Sequence, residues 1–421
     1  MYKVAIVTRV LCHSSEYGSF RYLRSIIDFF KLNGFKIVYV YVGRTCGSNL
    51  GEFSRVYREC GVSAIEAFLP VYSYIACGLL NGIVKVGRFL RCKCVDRVVE
   101  FLVGIASQSG IECGDRRVLN RREIDFVKRV IRKHKPQIVV ADHTWMADIF
   151  DPDFPECLKV ILTHDILFER KGSFRSMDME SDCEVWDKDF EKALLQKGDV
   201  IVTIQDHERQ VVKKLLPEKK VISIPCPVDV KLVKGKPKKD NIVIFVGSNA
   251  DHNVISLKWY LGEVWPKVVE RIPDALMYVI GSIGSKRIFQ NWGDKTVKFL
   301  GYVDDIDSYY EMSKVAVIPS IVGSGLKIKL VEALSYGVPC VASENALVGV
   351  EELKDGVVLC ARDSKQFAGY VVDLLLDEEL ADRLKQNSID YVRKNLAREV
   401  VFNPLREVIS DYLGVGGKSN G

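Results

Sequence analysis

Gly323-Ser324-Gly325-Leu326-Lys327-Ile328-Lys329-Leu330-Val331-Glu332 is the stretch of this chain best suited to chemistry. It reads as a glycine-rich loop running into a helix. Gly323 and Gly325, with the small Ser324 between them, let the backbone come close to a ligand. The helix start adds free N–H groups and the positive end of a dipole. Lys327 and Lys329 bring two full positive charges to the first turns. Glu332 lies a turn further in, where it repels an anion weakly and can accept from hydroxyls beyond it. A diphosphate followed by a ribose would meet these groups in that order, as in a sugar nucleotide.

These residues need a strand before them and a strand after them. The turn Tyr336-Gly337 and the apolar Pro339-Cys340-Val341-Ala342 supply the second. The first is Val315–Pro319, the last of a series that starts at Ile242-Val243-Ile244-Phe245-Val246 and continues through Ala275–Ile280 and Val297–Leu300. The spacing predicts helices over Val254–Val269 and Ile306–Met312, and a further strand over Val357–Leu359. An earlier series has strand-like runs at Val4–Val7, Lys36–Val42, Ile138–Ala141, Lys159–Leu162, Val200–Thr203 and Val221–Ile224. Val, Ile and Leu fill these runs without polar alternation, the pattern of strands buried on both faces of a parallel sheet.

The fold class is therefore α/β, with two doubly wound Rossmann-like domains facing each other across a cleft. We expect an N-terminal domain over 1–231, a Lys-, Gly- and Pro-rich linker over 232–240 and a C-terminal domain over 241–396. A last segment, 397–421, should return to the N-terminal domain through a helix capped by Asn403 with Pro404 in its first turn. Ligands of such sheets sit beyond the carboxyl ends of the strands. That singles out Gly247 and Ser248, Gly281, Tyr302, His143 and His164, each just past a strand-like run. Gly18 and Arg21 open the helix after the first strand, and their loop would bring N–H groups to the same cleft.

Composition narrows the function. The chain has 421 residues, enough for two or three domains, and is 48% hydrophobic and 27% charged, as expected of an ordinary soluble chain. A net charge of +5 with no paired Cys/His spacing argues against a nucleic-acid binder. The first apolar run is too short for a signal peptide, and no run is long enough to span a membrane. Twelve scattered cysteines without a Cys-x-x-Cys pair suit reduced, buried thiols in the cytoplasm. The Asp-x-Asp pairs at Asp151/Asp153, Asp187/Asp189 and Asp305/Asp307 read as loop and helix-start acids, so no metal site is expected. The basic stretch 81–135, with Lys85, Arg88, Arg91, Lys93 and Arg97 among its charges, suits either a solvated face or peripheral contact with an anionic membrane.

The C-terminal half resembles the GT-B glycosyltransferases, specifically the group 1 transferases of glycosyltransferase family 4. The words that carry the resemblance are FVGSNADHNVISLKWYLGEVWPKVVERIPDALMYVIG, VKFLGYVDDIDSYYEMSKVAVIPS, GSGLKIKLVEALSYGVPCVAS and VGVEELKDGVVL, from Ile242 to about Asn395. VVADHTWMA, LTHDILFER and DVIVTIQDHERQVV match more loosely in the N-terminal half. The resemblance implies a retaining, metal-independent transfer from a nucleotide-diphosphate sugar, bound as donor substrate, to a glycan, lipid or other acceptor. No further cofactor is implied. Glu332 falls on the acidic residue that holds ribose hydroxyls, Lys327 and Lys329 on positions facing phosphates, and Gly247 and Ser248 on the loop approaching the diphosphate. His164 falls where the family keeps a histidine against the donor sugar. Many members place another Glu eight positions before the ribose Glu. Here that position is Ser324, a departure common in the subgroup with Lys-x-x-Glu spacing. A non-catalytic scaffold of the same fold and a sugar-nucleotide epimerase are the alternatives.

Overall fold

The computed structural model describes residues 1–10, 18–43, 60–68, 119–176, 186–231, 240–290, 292–322, 328–354 and 356–415. The first seven strands are β1 (Lys3–Thr8), β2 (Lys36–Val42), β3 (Ala64–Phe68), β4 (Ile138–Asp142), β5 (Leu158–Leu162), β6 (Val200–Thr203) and β7 (Lys220–Ser223). They form one sheet in the order β3-β2-β1-β4-β5-β6-β7. Strands β1 and β2, β2 and β3, β1 and β4, and β4 and β5 pair in parallel. The next six are β8 (Ile242–Val246), β9 (Leu276–Ile280), β10 (Val297–Gly301), β11 (Val315–Ile318), β12 (Cys340–Ser343) and β13 (Val358–Ala361). They form a second sheet, β10-β9-β8-β11-β12-β13, parallel throughout. Strand order reverses direction between β8 and β11, the switch point where doubly wound sheets leave a crevice.

Contacts group the chain into two compact units. One comprises Met1–Ser14, Ile26–Leu162 and Ala193–Val200; the other comprises Ser15–Ser25, Thr163–Lys192 and Ile201–Gly421. In the second unit the core packs Phe245, Tyr260, Trp265, Met277 and Phe367 around the buried strands. Its first long helix is not uniform. Asp251–Trp259 is α-helical, Tyr260–Val264 widens to a π turn, and Trp265–Arg271 resumes the α form. Pro266 explains the change. It has no N–H to give the preceding turn, and the wider turn makes room for its ring.

The helix Ile328–Ser335 ends where the sequence placed a turn. Gly337 adopts φ +63, its N–H donates to Leu334 O at 2.9 Å, and the Val338 N–H reaches Ala333 O at 3.1 Å. This is a Schellman ending with glycine in the left-handed position. Asn403 departs from expectation. It is the first residue of the helix Asn403–Leu413, not its cap, because Phe402 is already helical. The Asn403 side chain accepts from Arg406 Nη1 at 2.7 Å instead.

Gly281 follows β9 at φ +106 and ψ −179, a region that residues with a Cβ avoid. A Cβ there would lie 2.3 Å from Gly247 O, so no flexible side chain can yield to it. Gly281→Ala is expected to cost about 2–4 kcal/mol through the strain and the clash together. Urea unfolding of the two proteins measures this, and an unchanged midpoint would show that the loop relaxes freely.

Candidate functional site

The second sheet brings several of the selected residues together at the carboxyl ends of its strands. Gly247 leaves β8, with its N–H on Ile280 O at 2.9 Å and its carbonyl accepting from Ile283 N at 3.3 Å. The Gly281 N–H in turn donates to Gly301 O at 2.7 Å. Three glycines therefore knit the ends of β8, β9 and β10 into one backbone surface. Tyr302 follows on this surface and is exposed.

Ser248 is held by Asn253, whose Nδ2 donates to both the Ser248 carbonyl, at 3.2 Å, and its hydroxyl, at 3.1 Å. The other side of that amide accepts from Lys329 Nζ at 2.6 Å. The Lys329 ammonium also lies 4.7 Å from the centre of the Phe245 ring. One buried asparagine thus fixes a serine hydroxyl and a lysine charge beside the loop after β8. Asn253 was not singled out from the sequence. Its position, in the first turn of the helix after that loop, is the signal that could have found it.

Glu332 is buried on the helix Ile328–Ser335. Its Oε1 accepts from Arg21 Nη1 at 2.5 Å and its Oε2 from the Tyr310 hydroxyl at 3.3 Å. Arg21 lies in the first turn of the helix Gly18–Leu32, which Gly18 opens, and its contact with Glu332 lies within the second unit. Burial works against the Arg21 charge, and the Glu332 carboxylate more than compensates, so the guanidinium pKa is raised. Tyr310 stacks on Tyr336 with ring centres 4.4 Å apart. Burial, then the Glu332 charge, pushes its phenol up, so it stays a neutral donor. The expected ribose ligand is therefore preoriented, and its two oxygens already carry one protein donor each.

Gly323, Ser324, Gly325 and Lys327 lie outside the described residues. So do residues 81–118 of the basic segment. In its described part, Lys128 is buried against Asp151, while Lys133 and His134 both meet Glu66, at 2.7 and 2.6 Å. Arg121 and Arg122 are exposed.

His143 follows β4 at φ 77 and ψ 151, a strained backbone for a residue with a side chain. Its ring stacks on Trp145 at 4.2 Å, and Nδ1 lies 3.3 Å from Asp142 Oδ2. Asp142 also accepts from Thr8 Oγ1 at 2.6 Å. His164 lies in the second unit, at φ 58, with its ring edge-on to Tyr22 at 5.1 Å. Asp165, the next residue, accepts from Arg170 Nη1 at 3.2 Å. Among the Asp-x-Asp residues, Asp187 and Asp305 accept from N–H groups of the first turns that follow them, whereas Asp307 pairs with the distant Lys231 and Tyr336.

The helix Leu167–Arg175 starts just after His164, and a buried carboxylate anchors it. Glu191 Oε1 and Oε2 accept from the N–H groups of Leu167 and Phe168 at 3.1 and 2.9 Å. Burial raises the Glu191 pKa from 4.5 to about 7, although those two backbone bonds pull it down. The folded protein therefore holds this proton more tightly than the unfolded chain does. The resulting stability is full below pH 4.5, declines as the pH rises towards 7, and is lost above. Glu191→Gln should remove a decline on the order of 3 kcal/mol between pH 4.5 and 8. Urea titrations of both proteins across that range test this, and parallel curves would refute it.

Comparison with known proteins gives these features a context. Residues 240–377 match the family model of the group 1 glycosyl transferases. An uncharacterized glycosyltransferase of Haemophilus influenzae is 26% identical over 216 residues, which are 48% of this chain and 60% of that protein. A phosphatidyl-myo-inositol mannosyltransferase of Mycobacterium leprae is 30% identical over 169 residues, 38% of this chain and 44% of that protein. The chain thus spans less than two thirds of the length of these curated relatives. Among solved structures, Anabaena HepE in complex with UDP and glucose superposes with a TM-score of 0.63 at 13% identity, covering 97% of this chain and 100% of that one. The two sheets are those of the GT-B fold. Among the described residues no helix is long and apolar enough to cross a membrane.

Proposed function

We propose that this protein is a retaining, metal-independent glycosyltransferase that moves a sugar from a nucleoside-diphosphate sugar to a glycan, lipid or other acceptor. One observation carries the reading. The matched segment 240–377 contains the strand ends that carry Gly247, Ser248 and Gly281 and the helix that carries Glu332 and Lys329, the latter tied to Ser248 through Asn253. In this reading the glycine surface approaches the diphosphate, Lys329 and Lys327 balance its charge, and Glu332 accepts from the ribose hydroxyls. Arg21, paired with Glu332, adds a guanidinium beside the carboxylate that would hold the ribose. UDP is the first nucleotide to try, because HepE was solved with it.

Fixed positive charge can stabilise a departing diphosphate as a divalent ion does elsewhere. In a retaining transfer a departing phosphate oxygen can itself take the proton of the incoming hydroxyl. The chain then needs no separate base, and His164, with His143 as second choice, positions the sugar or stabilises developing charge. On this reading residues 1–231 hold the acceptor, residues 241–396 hold the donor, and the segment 397–421 returns to the first domain. The basic segment 81–135 would face an anionic membrane or a phosphorylated acceptor. The buried free thiols Cys60, Cys157, Cys226 and Cys340 suit work in the cytoplasm.

Release of UDP from UDP-glucose, UDP-galactose and UDP-N-acetylglucosamine, with and without acceptor glycans and with excess EDTA, tests the proposal. Slow donor hydrolysis that persists in EDTA is expected. Nucleotide binding without turnover on any donor would favour a scaffold, and strict dependence on a divalent ion would overturn the metal-independent mechanism.

A further inference from the structure

Two neutral groups seat the Lys329 ammonium. The Phe245 ring lies against it, with the ring centre 4.7 Å away, and Asn253 Oδ1 accepts from it at 2.6 Å. Neither partner cancels its charge. Asn253 is 5% exposed, in the first turn of the helix Asp251–Trp259, so it acts through its neighbours.

The order of donors and acceptors around Asn253 is set from the lysine end. An ammonium has protons and no lone pair, so the amide must turn its oxygen towards Lys329. The amide NH2 then faces Ser248, where it donates to the carbonyl at 3.2 Å and to the hydroxyl oxygen at 3.1 Å. An NH2 offers only protons, so Ser248 Oγ accepts on that side and its own proton must leave in another direction. None of the described residues accepts that proton. Ser248 is half-buried, not sealed in the core.

Resting on the donor site proposed above, we propose that Asn253 is a positioning residue that makes the Ser248 hydroxyl a fixed donor to the diphosphate. The relay runs from the Lys329 ammonium to Asn253 Oδ1, and from Asn253 Nδ2 to Ser248 Oγ. A lysine charge at one end thereby dictates the direction of a hydroxyl at the other. Phosphate oxygens ionised at neutral pH accept and do not donate. A hydroxyl already aimed outwards needs no reorientation when such an anion arrives. The same amide ties the loop after β8 to the helix Ile328–Ser335, so the hydroxyl and the ammonium keep one spacing.

Calorimetry with UDP, ADP and GDP finds the diphosphate that the parent protein binds best, and a double-mutant cycle on that ligand provides the test. Ser248→Ala in the parent should weaken binding about tenfold, the loss of one hydrogen bond to a charged acceptor. Asn253→Asp keeps the shape and places an acid in the first turn of its helix, which favours folding. Its carboxylate would accept from both Lys329 and the Ser248 hydroxyl, so the hydroxyl turns inwards and shows the phosphate its lone pairs. This variant should bind about 100-fold more weakly than the parent, and adding Ser248→Ala should then cost less than about twofold. In Asn253→Ala the hydroxyl is free over three staggered positions, so binding should be intermediate and the serine's contribution should fall to about threefold. Aspartate, the closer steric match, is thus the worse substitution, the reverse of what a merely structural asparagine requires. Urea unfolding reports the folding of each variant, and the alanine background decides alone if the aspartate protein does not fold. Equal losses on Ser248→Ala in every folded background, or parent-like binding by Asn253→Asp, would overturn the relay and leave the donor site standing. A parent protein that binds none of the three diphosphates would overturn both.

Discussion

Glu332→Ala is expected to weaken UDP binding about 100-fold, the loss of two charge-assisted hydrogen bonds to a ribose. The carboxylate is buried and held on both oxygens, by Arg21 and Tyr310, so it is already oriented when a ligand arrives. Its remaining lone pairs are what a ribose would use. Removing it leaves the Arg21 charge and the Tyr310 hydroxyl without their acceptor. The Arg21 side chain is 38% exposed, so water takes over part of the lost pairing, and the stability cost should stay near ~1 kcal/mol. A chemical cycle separates the ribose role from general damage. The parent protein should bind 2′-deoxy-UDP about tenfold more weakly than UDP, and the variant should bind both alike. If the variant still prefers UDP over its deoxy form, Glu332 does not hold the ribose. Calorimetry on the four pairs decides it.

The parts of the fold that could be read from sequence are those governed by local patterns. Strands β2, β6 and β8 fall on runs rich in Val and Ile without polar alternation, and burial on both faces of a parallel sheet favours such runs. Strand β3 was not read as one. Ala64–Phe68 is only half buried and carries Glu66 at its centre, so neither an apolar run nor a clean alternation marks it. The helix from Asp251 to Arg271 was legible as a helix, but its π turn depends on what one proline does to a ladder already formed. Site residues divide the same way. Gly247, Gly281 and Lys329 follow strands or start helices, where topology gives them away. The pairing of Arg21 with Glu332 joins residues 311 apart in the chain, and no local signal announces it. Tyr310 and Asn253 are similar cases: ordinary helix residues in sequence, important only because of what the fold places beside them.

His164→Ala is expected to lower turnover about 100-fold while changing the donor Michaelis constant little. The histidine follows β5 in a left-handed conformation, φ 58, which costs a residue with a side chain some backbone strain. Strain of this kind persists where surrounding structure fixes it, and three features do so here. The Tyr22 ring meets the imidazole edge-on at 5.1 Å. Asp165 is drawn aside by Arg170, and the next helix is pinned at its start by Glu191. The ring is therefore held by packing, with its neighbouring carboxylate committed elsewhere. A group fixed in this way suits a contact made as charge develops on the sugar, which affects the turnover number more than ground-state binding. Tyr22→Leu, which removes the edge contact but keeps the imidazole, should lose about tenfold for the same reason. Steady-state kinetics on a donor that the parent protein turns over gives both numbers. A folded His164→Ala protein with the parent's turnover would assign the strain at this position to the chain reversal alone and move the catalytic assignment to His143.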